Sequence, residues 1–310
     1  ALARRLTDNS FADVVFFGNS GAEANEAAVK LVRKYGSKTG RYEIITMVKS
    51  FHGRTLGMIT ATGQDKVKKG FEPLPAGFVH VPFGDVEAVK AAINEKTIGI
   101  MLEPIQCEGG INIPDAEYLW SLRALCDQKD LALIFDEVQT GMGRSGKMFA
   151  FQNFGVEPDV MTLAKSLGGG LPIGACVARG RFADVFTPGT HASTFGGSPI
   201  VCAAGLAVFE AIKKEKLLAN ANKMGAYLKK RLEALKAKYD FVKDVRMMAL
   251  ICGVELSISG KEIYKECLQE GLLINCTQET VLRMMPSMTV SKQEIDKAIT
   301  ILDTVLSRHV

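Results

Sequence analysis

The sequence predicts an α/β fold, with a mainly parallel sheet in a large first domain and a smaller α+β domain at the C-terminal end. Short apolar runs rich in β-branched residues alternate with helical patterns over the first 215 residues, as in parallel sheets that helices cover on both faces. After residue 215 a lysine-rich helical pattern leads into short strands. The 310 residues, of which 47% are hydrophobic, suffice for two packed cores. We therefore predict domains at residues 1–215 and 216–310.

The elements follow from these patterns in chain order. In the large domain we predict strands at residues 13–17, 44–48, 78–81, 98–102, 132–135, 160–163 and 175–178. We predict helices there at residues 23–35, 86–94, 116–128 and 199–215. In the smaller domain we predict helices at 222–238, 261–270 and 292–306, and strands near 245–255 and 281–285. The first ten residues have the pattern of a helix already under way, so we expect a segment before them.

Composition argues against several classes of function. The net charge of +4 comes from 38 basic and 34 acidic residues that are interspersed, whereas a nucleic-acid groove needs a concentrated positive face. Seven cysteines without a CxxC pair, and four histidines without ligand spacing to them, disfavour a metal site and indicate reduced thiols in a cytoplasmic protein. No apolar run reaches the length of a membrane span.

A first candidate site is the segment GNSGAEANE, residues 18–26. It follows a predicted strand and opens a predicted helix, so the N–H groups of Ser20, Gly21 and Ala22 are expected at the positive end of a helix dipole. Such an end binds phosphate well. The alternative is a capping box formed by Ser20 and Glu23, and the two interpretations are compatible.

Two further candidates follow buried strands. Asp136 and Glu137 come after the strand at 132–135, at the edge where ligands bind in α/β folds; the alternative is a carboxylate that caps the next turn. Lys165 comes after the strand at 160–163, and a half-buried lysine has a lowered pKa that suits amine chemistry. The alternative for a lone lysine is a side chain that extends from a helix start into solvent.

A glycine pattern offers a competing interpretation. Gly141, Gly143 and Gly146 match GxGxxG, and residues 141–147 nearly match a phosphate-binding loop. The second pattern fails at Met148, where a hydroxyl is needed for magnesium. The first should open a helix directly after its strand, but residues 137–140 intervene. A nucleotide-binding protein is therefore the weaker hypothesis.

Together these motifs resemble class III aminotransferases, which have the pyridoxal-phosphate (PLP)-dependent transferase fold of type I. The matching segments span nearly the whole chain in the family's order: residues 19–30, 50–55, 103–110, 136–175, 191–199 and 272–288. The spacing of Asp136 and Lys165 is that of the family motif. The resemblance implies a PLP-dependent transaminase that works as a homodimer with shared active sites.

The resemblance also implies a role for each cofactor residue. Lys165 would bind PLP covalently and move the proton during the reaction, and Asp136 would pair with the pyridine nitrogen. Further cofactor contacts are implied at Ser20, Gly21, Ala22, Phe51 and Gln139, and at Thr194, which would reach the phosphate in the neighbouring subunit. His52 is expected as a packed neighbour of the ring rather than a catalytic base.

Substrate roles are implied at four positions. Arg54 would bind the α-carboxylate in a bidentate fork, Glu108 and Arg283 would form a pair that discriminates between the two substrates, and Ser193 would line the substrate site. The alternative for Arg54, Glu108 and Arg283 is surface or interdomain ion pairs. Cys107, Ala192 and Ser198 depart from the usual family residues.

The implied reaction transfers the distal amino group of N-acetylornithine to 2-oxoglutarate. Ornithine, succinylornithine and 4-aminobutyrate are alternative amino donors, and an aminomutase on the same scaffold is a second reaction class. An inactive homologue is disfavoured because Lys165, Asp136 and Arg54 are all present.

Overall fold

The computed structural model describes residues 1–310 and contains a seven-stranded and a four-stranded sheet. The strands are β1 Val14–Gly18, β2 Glu43–Met47, β3 Phe78–Val81, β4 Thr97–Leu102, β5 Ala132–Asp136, β6 Val160–Leu163, β7 Gly174–Ala178, β8 Val242–Met248, β9 Ile251–Leu256, β10 Asn275–Thr277 and β11 Val281–Met284. The α-helices are α1 Leu2–Thr7, α2 Gly21–Gly36, α3 Leu56–Ala61, α4 Val86–Ala92, α5 Ala116–Lys129, α6 Phe151–Phe154, α7 Pro199–Lys214, α8 Leu217–Lys238, α9 Lys261–Gln269 and α10 Lys292–Leu306. None of them has both the length and the apolarity that a membrane crossing requires.

The large sheet is mainly parallel, as predicted. Its strand order is β1-β7-β6-β5-β4-β2-β3, and the pairs from β3 through β6 are all parallel. Only β7 runs antiparallel to its two neighbours, β6 and β1. The connection from β6 to β7 spans only residues 164–173, which is shorter than a parallel crossover needs. The continuous apolar pattern of β7 did not distinguish its direction.

Helices cover both faces of this sheet. Leu133 and Phe135 of β5 belong to the core that also contains buried residues of α5 and α7. Their neighbours Ala132 and Ile134 belong to a second core that contains the apolar face of α2. Successive strand residues face opposite sides of the sheet. Asp136, two residues after Ile134, therefore faces α2 as Ile134 does.

The smaller sheet is antiparallel, with the order β10-β11-β9-β8. It packs with α8, α9 and α10 in a separate core of 21 buried residues from Ala221 to Leu306. Helix α8 joins the two cores, because Leu217 lies in the first and Ala221 in the second. The boundary at residue 215 stays a prediction.

The differences from the predicted elements lie mostly at helix ends. Helix α8 begins at Leu217, five residues before the predicted start, and its N-cap Lys216 makes no side-chain cap bond, so no capping signal marks the start. Helix α4 ends at Ala92 because Ile93 is extended. The short helices α1, α3 and α6 and the strand β10 were not predicted separately, and residues 2–7 agree with the expected helical start.

Candidate active site

The carboxyl ends of β4, β5 and β6 carry polar side chains into one cavity of about 510 Å³, a volume typical of small-molecule sites. Glu103 follows β4, Asp136 ends β5, and Lys165 lies two residues beyond β6. The cavity contains most of the residues that the sequence predicted for the cofactor, and its lining includes Ser20, Gly21, Ala22, Phe51, Arg54, Asp136, Gln139 and Lys165.

Asp136 is held by three N–H donors. Its Oδ2 accepts hydrogen bonds from Asn25 Nδ2 at 2.7 Å and from His52 Nδ1 at 2.8 Å, and its Oδ1 accepts one from the Val138 backbone at 3.0 Å. Only 3% of Asp136 is exposed. A carboxylate can only accept, so His52 carries its proton on Nδ1. These three donors stabilise a negative charge that faces the cavity.

Lys165 occupies a strained position at the cavity wall. Its φ is +45°, a left-handed conformation that a lysine rarely adopts and that functional sites often contain. The side chain reaches solvent through the open cavity. Desolvation by the surrounding protein lowers the pKa of Lys165, and Asp136 opposes this as the largest of the charges that raise it. The neutral amine is therefore more accessible than in a surface lysine.

At the N-terminus of α2 the structure forms half of the predicted capping box, and the anion site stays a prediction. Ser20 Oγ accepts from the Glu23 N–H at 3.1 Å, as a helix cap. The reciprocal bond of the capping box is displaced, because Glu23 Oε2 accepts from the Asn19 N–H at 2.9 Å. Gly21 and Ala22 are the first two residues of α2, where N–H groups have no acceptor within the helix. They border the cavity and form a suitable anion site.

A close backbone approach positions this anion site. A Cβ atom on Gly174 of β7 would lie 2.1 Å from the Ser20 carbonyl oxygen. Any side chain there would push the start of α2 away from the sheet. Gly174 therefore fixes the distance between the sheet edge and the helix N-terminus.

The other predicted residues at the cavity differ in how firmly they are held. The guanidinium of Arg54 lies 5.3 Å from the centre of the Phe51 ring and forms no salt bridge, so the ion-pair alternative does not hold for Arg54. Gln139 lines the cavity, and its Oε1 accepts a 3.4 Å hydrogen bond from Arg283 Nη1. This bond connects the cavity to the smaller sheet.

The predicted substrate residues Glu108, Arg283 and Ser193, and the predicted cofactor residue Thr194, do not line the cavity itself. Arg283 Nη1 and Glu108 Oε1 form a salt bridge of 2.7 Å, and the charge of Glu108 acts on Lys165. Ser193 Oγ accepts from Asn19 Nδ2 at 3.2 Å, which places its loop beside the α2 N-terminus. Thr194 is exposed on that loop.

The second carboxylate of the pair after β5 has a structural role. Glu137 is buried, and its oxygens accept from the N–H groups of Ala150 at 2.5 Å and Phe151 at 2.7 Å. It therefore caps a turn, which was the alternative considered for this pair. The glycines at 141–146 lie in successive turns rather than at the start of a helix, and Asn222 donates to the Gly146 carbonyl. This geometry disfavours a nucleotide site there.

Two buried residues that sequence reasoning did not select complete the site. Asn25 lies on the apolar face of α2, donates to Asp136 and accepts a 2.6 Å bond from Thr162 Oγ1. Glu103 lines the cavity, and its Oε2 accepts a 3.0 Å bond from the Phe51 N–H. A polar residue among the alanines of α2, and a glutamate directly after a buried strand, were the available signals. His52 also lines the cavity, and its Nε2 is buried without a partner.

Comparison with known proteins agrees with this geometry. Residues 1–306 match the family described as aminotransferase class-III. The chain is 53% identical over 310 residues to an acetylornithine aminotransferase from Caldanaerobacter subterraneus, covering 99% of this chain and 79% of that protein. It is 51% identical over 313 residues to an acetylornithine aminotransferase from Methanocaldococcus jannaschii, covering 99% and 78%.

Solved structures give the same result. The fold superposes with a TM-score of 0.93 on an ornithine aminotransferase from Toxoplasma gondii that is 32% identical, covering 98% of this chain and 75% of that one, and whose active site is described with partial occupancy of PLP. The chain belongs to the class III aminotransferases and is a PLP-dependent transaminase.

Proposed function

We propose that this transaminase transfers the distal amino group of N-acetylornithine to 2-oxoglutarate, giving N-acetylglutamate semialdehyde and glutamate, as a step of arginine biosynthesis in the cytoplasm. The observation that carries the proposal is the convergence of Lys165, Asp136 and the α2 N-terminus on one cavity. The choice of amino donor rests on curated relatives named acetylornithine aminotransferase, at 47–53% identity over nearly the whole chain.

The residues of the cavity fit PLP. A phosphate needs unpartnered N–H donors, which Gly21 and Ala22 supply at the start of α2. A pyridine nitrogen that carries a proton needs a fixed anion, which Asp136 supplies with its three donors. An aldehyde needs an accessible amine, which Lys165 supplies. Phe51 would cover one face of the ring and Gln139 would bond near its hydroxyl group.

When bound, PLP supplies an electron sink that delocalises the negative charge left on the substrate carbon. Lys165 Nζ takes the proton from the carbon that bears the distal amino group and later returns a proton, so one residue serves as both base and acid. The lowered pKa of Lys165 increases the fraction of neutral amine available for this transfer. Asp136 holds a negative charge in place throughout.

Substrate binding would use the charged residues near the cavity mouth. Arg54 has no competing carboxylate and would bind the α-carboxylate of the amino donor through its planar fork. Arg283, when it leaves Glu108, would bind the second carboxylate of 2-oxoglutarate. Ser193 would contact substrate from the loop beside α2.

We further propose a homodimer in which Thr194 serves the phosphate site of the partner subunit. Thr194 is exposed and does not line the cavity of its own chain. The neighbouring Phe195 and Ile200 are 70% and 75% exposed, so two large apolar side chains near Thr194 are available for burial against a partner subunit. Sedimentation of wild type and of a Phe195→Asp, Ile200→Asp variant would test this, with a monomeric variant expected.

The activity is tested by absorbance spectra of the protein with PLP, before and after a panel of amines is added. We expect N-acetylornithine to convert the spectrum to the pyridoxamine form, and 2-oxoglutarate to reverse it. A clear preference for ornithine, succinylornithine or 4-aminobutyrate would change the substrate and keep the reaction. Turnover without any need for 2-oxoglutarate would favour an aminomutase.

A further inference from the structure

Glu103 and Asp136 stand side by side at the edge of the large sheet. The parallel ladder of β4 and β5 pairs Leu102 with Phe135, so the next residues, Glu103 and Asp136, continue the register. Neighbouring strands lie roughly 4.8 Å apart. Met101 and Ile134 face α2, and Glu103 and Asp136 come two residues after them. Because residues two apart in a strand share a face, both carboxyl groups lie on the α2 side of the sheet.

Both carboxyl groups lie away from bulk water and line the same cavity. Glu103 and Asp136 are each 3% exposed. Negative charges on both carboxyl groups, with little water between them, would repel each other, and the charge of Asp136 acts on Glu103. This repulsion favours a protonated form of one carboxyl group, and the surroundings decide which group takes the proton.

The hydrogen bonds decide in favour of Glu103 as the protonated member. Asp136 accepts from three N–H donors that satisfy both of its oxygens. Glu103 accepts one such bond, from the Phe51 N–H to Oε2, with the Cys107 N–H as a weaker contributor. Donors stabilise the ionised form, so the charge belongs on Asp136.

Burial and the neighbouring charges together also favour the protonated form of Glu103. Burial raises the pKa of Glu103 well above its usual range, and the neighbouring Asp136 raises it further. The Phe51 N–H, Lys165 and the Cys107 N–H oppose this rise, with smaller effects. Lys165 therefore does not reverse the assignment, although it shares the cavity.

We propose that Glu103 carries a proton at neutral pH and donates a hydrogen bond into the cavity, to an acceptor atom of the bound cofactor. The site then contains one fixed anion, Asp136, and one neutral donor, Glu103. The identity of the acceptor rests on the proposed function, whereas the protonation state follows from the protein alone. The alternative is an ionised Glu103 that only orders the segment around Phe51.

Infrared spectroscopy of the cofactor-free protein tests the protonation. We expect a carbonyl band of a protonated carboxylic acid near pH 8 that disappears in Glu103→Gln and remains in Glu95→Gln, a matched change at an exposed glutamate. The buried Glu137, whose pKa burial raises to about 7, would lose most of its own band by that pH. Absence of the band in wild type, or its persistence in Glu103→Gln, would overturn the proposal.

Cofactor binding tests the hydrogen bond. Glutamine keeps both an acceptor for Phe51 and an N–H donor toward the cavity, whereas methionine keeps only the approximate shape. We expect Glu103→Gln, which mimics a neutral donor, to bind PLP about as tightly as wild type, and Glu103→Met to bind it about tenfold more weakly; a Glu103→Gln variant that differs clearly from wild type would favour an ionised Glu103. Equal dissociation constants of the two variants would show that Glu103 donates no bond to the cofactor. A different substrate preference would change neither readout, so failure of the proposed function is separable.

Discussion

Thr162 Oγ1 donates a 2.6 Å hydrogen bond to Asn25 Oδ1, and this bond fixes the direction of the Asn25 amide. With its oxygen held by Thr162, the amide nitrogen faces the other way, toward Asp136 Oδ2 and the His52 carbonyl oxygen, both at 2.7 Å. All four residues are buried. Asn25 therefore holds Asp136 in place at the candidate cofactor site.

Replacing Asn25 with aspartate should destabilise the protein in a pH-dependent way. The change removes the donor to Asp136 and adds a second buried carboxyl group beside it. We expect a loss of about 3 kcal/mol in the free energy of unfolding at pH 8, and a smaller loss at pH 5 where the new carboxyl is more easily protonated. Urea unfolding measures both values. The same change at the exposed Asn94 should cost little, and an equal loss at both positions would contradict the role of Asn25.

Lys165→Ala should stop transamination while leaving the fold intact. The variant loses the only amine at the cavity wall, so no group remains to move the proton. We expect the half-reaction with the amino donor to slow by at least about 1,000-fold, measured by single-turnover absorbance after PLP is added. Lys165→Arg should be similarly slow, because a guanidinium stays protonated. A modest loss in both variants would assign the proton transfer to another residue.

Arg54→Lys should weaken substrate binding more than it slows the chemistry. Lysine keeps the charge and loses the planar pair of donors that fits a carboxylate. We expect KM for the amino donor to rise by about 10- to 100-fold with a smaller change in kcat. The matched control is Arg5→Lys, because Arg5 is exposed and does not line the cavity. An unchanged KM would mean that Arg54 does not bind the carboxylate.

Glu108→Gln should strengthen the binding of 2-oxoglutarate. The carboxylate of Glu108 occupies Arg283 at 2.7 Å, so binding of a second substrate carboxylate must first break that pair. Without the charge of Glu108 we expect KM for 2-oxoglutarate to fall by roughly fivefold, with a smaller change in KM for N-acetylornithine, which has only one carboxylate. The exposed pair of Glu87 and Lys90 gives the control Glu87→Gln. A higher KM in Glu108→Gln would contradict the proposed competition.

The sequence predicted the scaffold of the site better than its internal contacts. Strand ends at Asp136 and near Lys165 follow from apolar runs that stop at a polar residue, and a parallel sheet brings such ends together. The antiparallel direction of β7 and the early start of α8 depend on the connection length and on tertiary packing, which local patterns do not contain.

The same limit explains which site residues were missed. Asn25 lies on a helix and Glu103 after a strand, and only the folded packing of α2 on the sheet makes them neighbours of Asp136. Asp136 and Glu137 have different roles because side chains alternate between the two faces at the end of a strand. Side chains of consecutive residues diverge, so one carboxylate faces the cavity and the other caps a turn at Ala150.

The buried cap Glu137 makes a prediction about stability and pH. Burial raises the pKa of Glu137 from 4.5 to about 7, although two backbone N–H groups oppose the rise. The folded state therefore binds this proton more tightly than the unfolded state, and the resulting stabilisation is complete below pH 4.5 and lost as pH rises to about 7. The shift corresponds to a loss of about 3 kcal/mol across that window.

Glu137→Gln isolates this contribution, because glutamine cannot ionise and all other titrating groups are shared with wild type. We expect the variant to be the less stable protein at pH 4.5, since its amide N–H₂ group faces one of the two backbone donors. The difference in the free energy of unfolding should then shrink by about 3 kcal/mol as pH rises through 7. Urea unfolding at half-unit steps of pH would show the two curves converging. Parallel curves would mean that Glu137 is ionised throughout, with its two N–H donors outweighing burial.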